Sequence, residues 1–284
     1  MRKDGIEDMR GKTVLKNLFK TDSDSENESS VEEKEGEEET CMINMSEPSL
    51  CPPSSSSTFT SSSSGITVSV YEEKHRGIAF QLWPAARLLC NYIDEHRDEH
   101  DIISHTSSTG VIIELGAGIG LCGMYLSACG AGHVIITDLK EAMDIIDKNI
   151  SLNIDRSTDA RTERIIEAKE LKWGFRQDIE EIFASLAYHT DSPPLIIASD
   201  CVYWECLFAP FFETLRILVE EYNCTVLISH VKRWKKDEKF FNMCRKKMNV
   251  EIVKEDVCYV KEENSLSGKE RRQVSRIYKI SKNS

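Results

Sequence analysis

The sequence predicts an α/β fold in which helices cover both faces of a largely parallel sheet. From residue 65 onward, apolar strand-like runs alternate with segments of helical periodicity, a pattern typical of βα units. The last two strand-like runs have no clear helix between them, which predicts an antiparallel hairpin at one edge of the sheet. The predicted sheet therefore has seven strands, six from βα-type alternation and one from the closing hairpin.

The elements follow one another along the chain in this order. An extended segment at Ile66–Val70 and a helix at Leu82–Ile93 come first. The seven strands are predicted at Val111–Leu115, Val134–Thr137, Arg164–Ala168, Leu195–Ser199, Thr225–Ser229, Val250–Val253 and Val274–Ile280. Further helices are predicted at Leu121–Cys129, Glu141–Asn153, Phe208–Tyr222 and Asp237–Met248.

The first 64 residues have a different composition. Residues 21–40 carry ten acidic side chains against one basic one, and serine-rich stretches follow at residues 54–57 and 61–64. Such a segment has too little apolar surface to offset the entropy lost on ordering. We therefore predict a disordered acidic and serine-rich tail at 1–64 and a single folded domain at 65–284.

Charge, cysteine content and hydropathy limit the partners and the compartment. The net charge is −12, whereas proteins that bind nucleic acid usually carry a basic excess, so no nucleic-acid partner is expected. The ten cysteines form no Cys-x-x-Cys pair, which favours reduced thiols and no metal site. No apolar run is long enough to span a membrane. We expect a cytoplasmic monomer, with the nucleus as a second compartment.

Three glycines follow the first strand of the predicted sheet at alternate positions, Gly116, Gly118 and Gly120. Glycine permits positive φ angles and lets a ligand approach the backbone closely. The next strand ends in Asp138, at the position where a βαβ unit places a carboxylate beside a ribose. The pattern therefore predicts a site for a nucleoside cofactor.

A nicotinamide dinucleotide is an alternative, because residues 118–123 fit the pattern Gly-x-Gly-x-x-Gly. In a dinucleotide site, however, the first glycine of the pattern directly follows the strand, and here Glu114–Ala117 intervene. The frame that starts at Glu114 is the better one.

A second group of polar residues follows the fourth strand, where Ser199 leads into Asp200 and Tyr203. The carboxyl ends of parallel strands face the ligand crevice. A carboxylate and a phenol at this place could hold an incoming amine, or they could cap a turn and fill the core.

Five motifs in this order resemble those of methyltransferase family 16, the seven-strand protein N-lysine methyltransferases. The motifs are Leu82-Trp83, Glu114-Leu115-Gly116-Ala117-Gly118, Thr137-Asp138-Leu139, Glu170-Leu171-Lys172-Trp173-Gly174 and Ser199-Asp200-Cys201-Val202-Tyr203. The resemblance implies a Rossmann-like, S-adenosylmethionine (AdoMet)-dependent methyltransferase that acts on a lysine of a protein substrate. The targets of the family suggest a chaperone or a translation factor as that substrate.

The resemblance also implies roles for individual residues. Asp138 would bind the ribose hydroxyls and Trp173 would contact the adenine, while Asp200 and Tyr203 would be the catalytic residues. The other residues expected at the cofactor are Trp83, Glu114, Gly116, Ala117, Gly118, Gly120, Leu139 and Ser199.

Three alternatives remain open from the sequence. Pro84 follows Trp83, as in relatives that include an arginine-directed enzyme, so the acceptor could be arginine. The protein could also bind AdoMet without turnover, or be a nicotinamide-dependent oxidoreductase. The basic segment Lys232–Lys236 could contact an acidic partner, although a solvated loop at the start of a helix is the favoured interpretation.

Overall fold

The computed structural model describes residues 55–97, 110–154, 165–186, 192–261 and 270–283. The strands are β1 (Ser55–Thr60), β2 (Thr67–Glu72), β3 (Val111–Leu115), β4 (His133–Asp138), β5 (Ile165–Glu170), β6 (Leu195–Ser199), β7 (Thr225–Lys232), β8 (Asn249–Lys261) and β9 (Glu270–Ser281). The α-helices are α1 (Pro84–Glu95), α2 (Leu121–Cys129), α3 (Met143–Asn153), α4 (Arg176–Leu186), α5 (Phe208–Arg216) and α6 (Asp237–Arg245).

A seven-stranded sheet in the order β5-β4-β3-β6-β7-β9-β8 forms the centre of the domain. The first five strands in this order are parallel, whereas β9 runs antiparallel to both β7 and β8. The predicted α/β fold with an antiparallel edge hairpin is confirmed. The chain reverses its direction of travel across the sheet at β3, so the crevice beside the ends of β3, β4 and β6 is the expected ligand site.

Two apolar layers cover the two faces of this sheet. Residues of α1, α2 and α3 pack on one face and residues of α4, α5 and α6 on the other. Neighbouring residues of β3 alternate between the layers, with Ile112 in the first and Ile113 in the second, as the pleat of a strand requires. Because both faces are covered, the central strands β3 and β6 are mostly apolar and almost entirely buried.

The prediction of a disordered tail is wrong for residues 55–64. Strand β1 pairs with β2 in a separate antiparallel hairpin, and the buried Phe59 ring meets the Tyr125 ring edge-on, with 5.3 Å between their centroids. The buried Asp94 carboxylate accepts hydrogen bonds from the Ser61 hydroxyl and from the Ser64 amide. The serines that suggested disorder thus have a buried partner in the fold. Residues 1–54 of the predicted tail lie outside the described residues.

Four elements differ from the sequence expectation. Helix α4 was not predicted, although Ile179, Ile182 and Leu186 form its buried stripe. Helix α5 ends at Arg216 and continues as a π-helical turn at Ile217–Glu221. Strands β8 and β9 extend well beyond their predicted bounds.

Among the described helices, none has the length and apolar character needed to cross a membrane.

Candidate active site

The glycine loop after β3 adopts a conformation that its sequence permits and few others would. The φ angles are 56° at Gly116 and 58° at Gly118, in the left-handed region that side chains disfavour. A Cβ atom on Gly116 would also lie 2.6 Å from Cζ2 of Trp173, and one on Gly118 would lie 2.9 Å from the carbonyl oxygen of Ala79. The loop therefore needs glycine both for its backbone conformation and for the close approach of its neighbours.

Glu114 supports this loop from inside the domain. Its side chain is buried, with 1% of the residue exposed, and its Oε2 accepts a hydrogen bond of 2.7 Å from the Gly123 amide in α2. Burial raises the pKa of Glu114 to about 8, despite the opposing effect of this hydrogen bond. The Thr137 hydroxyl donates to the Glu114 carbonyl at 2.6 Å. Glu114 thus contacts the first turn of α2 within the core, at a position that supports the loop.

Asp138 links the end of β4 to the glycine loop. Its Oδ2 accepts a hydrogen bond from the Gly118 amide at 2.7 Å, and its Oδ1 accepts one from the Leu139 amide at 2.7 Å. Burial raises the pKa of Asp138, although both amides act in the opposite direction. Each carboxylate oxygen can accept more than one hydrogen bond, so Asp138 keeps capacity for a ligand hydroxyl. The side chain of Leu139 is exposed beside it, with 47% of the residue accessible.

Trp173 lies against the glycine loop from the side of β5. The segment that follows β5 is fixed by a hydrogen bond from the Leu171 amide to the Asp138 carbonyl at 3.0 Å. The indole is half-buried, lies directly against Gly116, and packs on Phe211 with 4.4 Å between ring centroids. The ring is therefore held by the core on one side and borders the glycine loop on another.

Ser199 and Asp200 follow β6 at the same edge of the sheet. Asp200 has a φ angle of 61°, a conformation that non-glycine residues adopt at an energetic cost and that is concentrated at functional sites. Only 7% of the residue is exposed. The next residue, Cys201, directs its thiol toward the carbonyl oxygens of Leu115 and Gly116. The half-buried Ser199 thus lies near the glycine loop, two residues before this contact.

The carboxylate of Asp200 is paired with Arg233, a partner that the sequence did not predict. The two terminal guanidinium nitrogens donate to the two carboxylate oxygens at 2.7 and 2.5 Å. These hydrogen bonds raise the pKa of Arg233. The Arg233 guanidinium carbon also lies 5.4 Å from the centre of the Trp83 ring. Arg233 therefore contacts both Trp83, which the sequence predicts beside the cofactor, and Asp200, which the sequence predicts beside the acceptor amine.

Two further buried groups lie behind this pair. His230 Nδ1 lies 3.8 Å from Asp200 Oδ1, and His230 Nε2 lies 3.3 Å from Asp237 Oδ2. Asp237 Oδ2 also accepts the amides of Arg233 and Trp234, each at 3.0 Å. Burial alone would raise the pKa of Asp237, but His230 and these two amides outweigh it, and the pKa is lowered. The turn that carries Arg233 is thereby fixed to α6.

The favoured interpretation of Lys232–Lys236 as a solvated loop is wrong for Arg233. Its side chain is only 27% exposed and turns inward onto Asp200. The sequence held one sign of this inward contact, since Arg233 is an arginine in a segment of lysines and arginine is the residue that forms forked pairs with carboxylates. The exposed Lys235 agrees with the solvated interpretation.

Aromatic side chains follow Asp200 along the chain, and another lies beside Arg233. Tyr203 is half-buried, and its ring centroid lies 5.1 Å from that of Trp204, which is 40% exposed. Trp83 is fixed by a hydrogen bond of 2.8 Å from its indole nitrogen to the Ile78 carbonyl. Trp83 thus lies beside the Asp200 and Arg233 pair, and Tyr203 and Trp204 lie three and four residues after Asp200.

The structure thus brings most of the predicted residues to one edge of the sheet. In the glycine loop, Gly116 lies against Trp173, the Ala117 amide donates to a carbonyl in β4, and the Gly118 amide donates to Asp138. Trp83 is linked to Asp200 through Arg233. Gly120 instead starts α2, where its neighbours are Ile136 and Ile146, and Glu114 is enclosed in the core. Among the described residues, no cluster of His, Cys, Asp and Glu has an arrangement suited to a metal ion.

Comparison with known proteins gives one family. A family model described as lysine methyltransferase matches residues 62–247. The chain is 30% identical over 183 residues to the protein N-lysine methyltransferase METTL21A of Danio rerio, and the match covers 64% of this chain and 74% of the relative. It is 34% identical over 127 residues to the EEF1A lysine methyltransferase 3 of Xenopus tropicalis, with 43% of this chain and 50% of the relative covered.

Solved structures with a similar fold include a putative SAM-dependent methyltransferase from Streptococcus mutans. That match has a TM-score of 0.45 and 12% sequence identity, and it covers 78% of this chain and 55% of the other. The family model spans well over half of the chain. The family predicted from the five motifs is confirmed: the chain belongs to the lysine methyltransferase family.

Proposed function

We propose that the protein transfers a methyl group from AdoMet to the side-chain amine of a lysine in another protein. The observation that carries this proposal is the convergence of the glycine loop, Asp138, Trp173 and Asp200 at the carboxyl ends of neighbouring strands. This convergence supports one crevice with two halves, a cofactor half around the glycine loop, Asp138 and Trp173, and an acceptor half around Asp200.

The residues of the cofactor half suit AdoMet. Asp138 can accept hydrogen bonds from ribose hydroxyls, because its oxygens each use only one acceptor position on the backbone amides described above. Trp173 offers an aromatic surface for the adenine. The absence of a Cβ at Gly116 lets the Trp173 indole lie directly against the loop backbone. Glu114 would act indirectly, by holding the loop against α2.

AdoMet would supply an activated methyl group on a sulfonium, so the transfer needs no nucleophile or metal from the protein. In the transfer the uncharged acceptor nitrogen would bond to the methyl carbon while the carbon–sulfur bond breaks, so that the electron pair of that bond stays on sulfur and the positive charge passes to the nitrogen. What the chain contributes is placement of the nitrogen in line with that bond, which is worth several kcal/mol in such reactions.

The residues of the acceptor half suit a long cationic side chain with an apolar stem. The Tyr203 and Trp204 rings can border the aliphatic part and can interact with a cation through their faces. Lysine must lose a proton before it attacks, since its ordinary pKa is about 10.4 and the ammonium has no lone pair. An enclosed aromatic channel favours that loss, because desolvation disfavours the charged form.

The substrate is proposed to be a protein, as the names of the relatives state for those enzymes. One relative is named as an EEF1A lysine methyltransferase, which supports a translation factor as the first candidate class. A chaperone substrate, a monomeric state and a cytoplasmic location remain predictions from the sequence.

The experiment that tests the proposal uses the full chain, tritiated AdoMet and a cell extract. Labelled protein bands are expected with the wild type and with the control Asp256→Asn, which changes an exposed carboxylate in β8. Asp200→Asn is expected to lower incorporation by about a hundredfold or more while AdoMet still binds, because the ion pair with Arg233 that borders the acceptor is lost. Saturable AdoMet binding without any labelled band would instead identify an interaction protein without turnover.

A further inference from the structure

We propose that Arg233 is a positioning residue that stays on Asp200 during methyl transfer and makes the acceptor half of the crevice select an uncharged lysine amine over an arginine. This inference rests on the function proposed above. It concerns a residue outside all five sequence motifs, in a segment whose composition suggests a solvated loop.

The pairing geometry occupies the carboxylate. The guanidinium of Arg233 engages both oxygens of Asp200, at 2.7 and 2.5 Å, in the forked arrangement that arginine forms with carboxylates. The Val231 amide adds a weaker contact to Oδ1 at 3.4 Å. Both oxygens of the carboxylate expected to meet the substrate are therefore engaged by residues of the chain itself.

Burial makes the pair costly to separate. The Asp200 side chain is only 4% exposed, and removal of one partner from a buried ion pair leaves an uncompensated charge. The turn that carries Arg233 is itself fixed, because Asp237 accepts the Arg233 and Trp234 amides. A neutral amine could not replace the guanidinium, as it brings no charge to offset that of Asp200.

The surrounding groups leave Arg233 as the cation of this site. Within the described part of the chain, the titratable groups that face the pair are His230 from β7 and Asp237 from α6, and the ring of Trp83 lies just before α1. Asp237 is engaged by His230 and by the two amides, and its charge also acts on Arg233, whose pKa it helps to raise. The crevice thus presents a neutral ion pair to the acceptor in place of a free carboxylate.

Two consequences follow for the acceptor. An unpaired Asp200 carboxylate would stabilise the ammonium of an entering lysine and raise the lysine pKa, so Arg233, by neutralising that charge, favours the uncharged amine that the reaction needs. An arginine acceptor keeps its charge at every usable pH, and the neutralised Asp200 offers it no net negative charge. The same residue thereby promotes lysine deprotonation and rejects arginine.

The test compares Arg233→Met, which removes the charge, with Arg233→Lys, which keeps it, and with the control Lys235→Met in the same basic segment. Initial rates of tritium transfer from AdoMet into extract protein are measured for the full chain between pH 6.5 and 9.5. We expect Arg233→Met to lose about tenfold at pH 7 and to approach the wild-type rate at pH 9.5, with its acid limb shifted upward by about one pH unit. Arg233→Lys keeps the charge but not the forked pairing, so its rate should fall while its acid limb stays closer to that of the wild type than the limb of Arg233→Met. Lys235→Met should keep the wild-type profile.

Other results would overturn the inference. An equal loss at every pH would mean that Arg233 only supports the fold, and a gain in rate would mean that it blocks the site and must leave. Arg233→Met is checked for AdoMet binding by calorimetry. If it does not fold, the wild-type product decides, because hydrolysis of the labelled band should release methyllysine, and methylarginine would refute the inference. Absence of any transfer by the wild type would refute the proposed function, whereas transfer by the wild type with one of the contrary results above would refute only the role of Arg233.

A readout without turnover addresses the pair directly. In protein labelled with ¹⁵N-arginine, the Arg233 guanidinium signal, assigned by its loss in Arg233→Lys, should stay protected from exchange when AdoMet is added. Release of that signal to the exchange rate of exposed arginines would contradict a pair that persists in the loaded site.

Discussion

Replacement of Glu114 by glutamine should make the protein more stable at alkaline pH while leaving its stability at acidic pH nearly unchanged. Burial raises the pKa of Glu114 from its ordinary value of 4.5 to about 8, and the charge of Asp138 acts in the same direction. The amide oxygen of the substituted side chain can still accept the Gly123 amide, so the hydrogen bond to α2 is preserved. Only the titration is removed.

The sign of the pH dependence follows from which state binds the proton. Below pH 4.5 the carboxyl is protonated in both the folded and the unfolded protein. Between pH 4.5 and about 8 the unfolded chain ionises while the folded one keeps its proton, so this contribution to stability is lost as the pH rises and levels off above the folded pKa. With about 1.4 kcal/mol for each pKa unit, the full loss is of the order of 5 kcal/mol.

The assay is urea unfolding followed by tryptophan fluorescence at pH 5, 6.5 and 8.5. The free energy of unfolding of Glu114→Gln minus that of the wild type should increase by several kcal/mol across this range. Glu181→Gln, an exposed change in α4, should show no such trend. A difference that is constant with pH would refute the buried, protonated state assigned to Glu114.

Further predictions concern the cofactor half and the thiols. Gly116→Ala should weaken AdoMet binding by about tenfold or more in calorimetry. The control Gly65→Ala has a similar φ of 71° but no atom within 4 Å of the new Cβ, so it should bind normally, and equal losses in the two variants would contradict the role of the Trp173 contact. Asp138→Asn should weaken AdoMet binding about tenfold or more, as loss of a charged acceptor costs about 1.5–3 kcal/mol, and unchanged affinity would exclude it from the ribose site. Iodoacetamide at pH 8 should modify the exposed Cys206 well before Cys224, whose pKa burial raises to about 12; the reverse order in peptide mapping would contradict the packing around α5.

The sequence predicted those elements whose own residues determine their environment. Strand β3 is buried along its whole length and apolar except at Glu114, because both faces of the sheet are covered, and the glycines that follow it are required by the left-handed backbone of the loop. The order of strands and helices along the chain then determined the fold class, including the edge hairpin.

Elements whose role depends on distant partners could not be predicted in this way. The serines near β1 suggested disorder because their partner, Asp94, lies in a helix 30 or more residues away. Helix α4 is a different case, because Ile179, Ile182 and Leu186 stand at helical spacing, so its own residues carry the pattern of an amphipathic helix and it was missed although it could have been predicted. Arg233 resembled part of a solvated basic segment, and only the tertiary fold brings it to Asp200. A pairing across 33 residues leaves no pattern in one sequence.

Titration of the full chain with AdoMet, with NADH as the comparison, tests the central claim most directly. Calorimetry should show saturable one-to-one binding of AdoMet that Asp138→Asn weakens, and no binding of NADH. Binding of NADH in preference to AdoMet, or binding of neither, would contradict a nucleoside site at the ends of β3 and β4 and every role assigned to the residues around it.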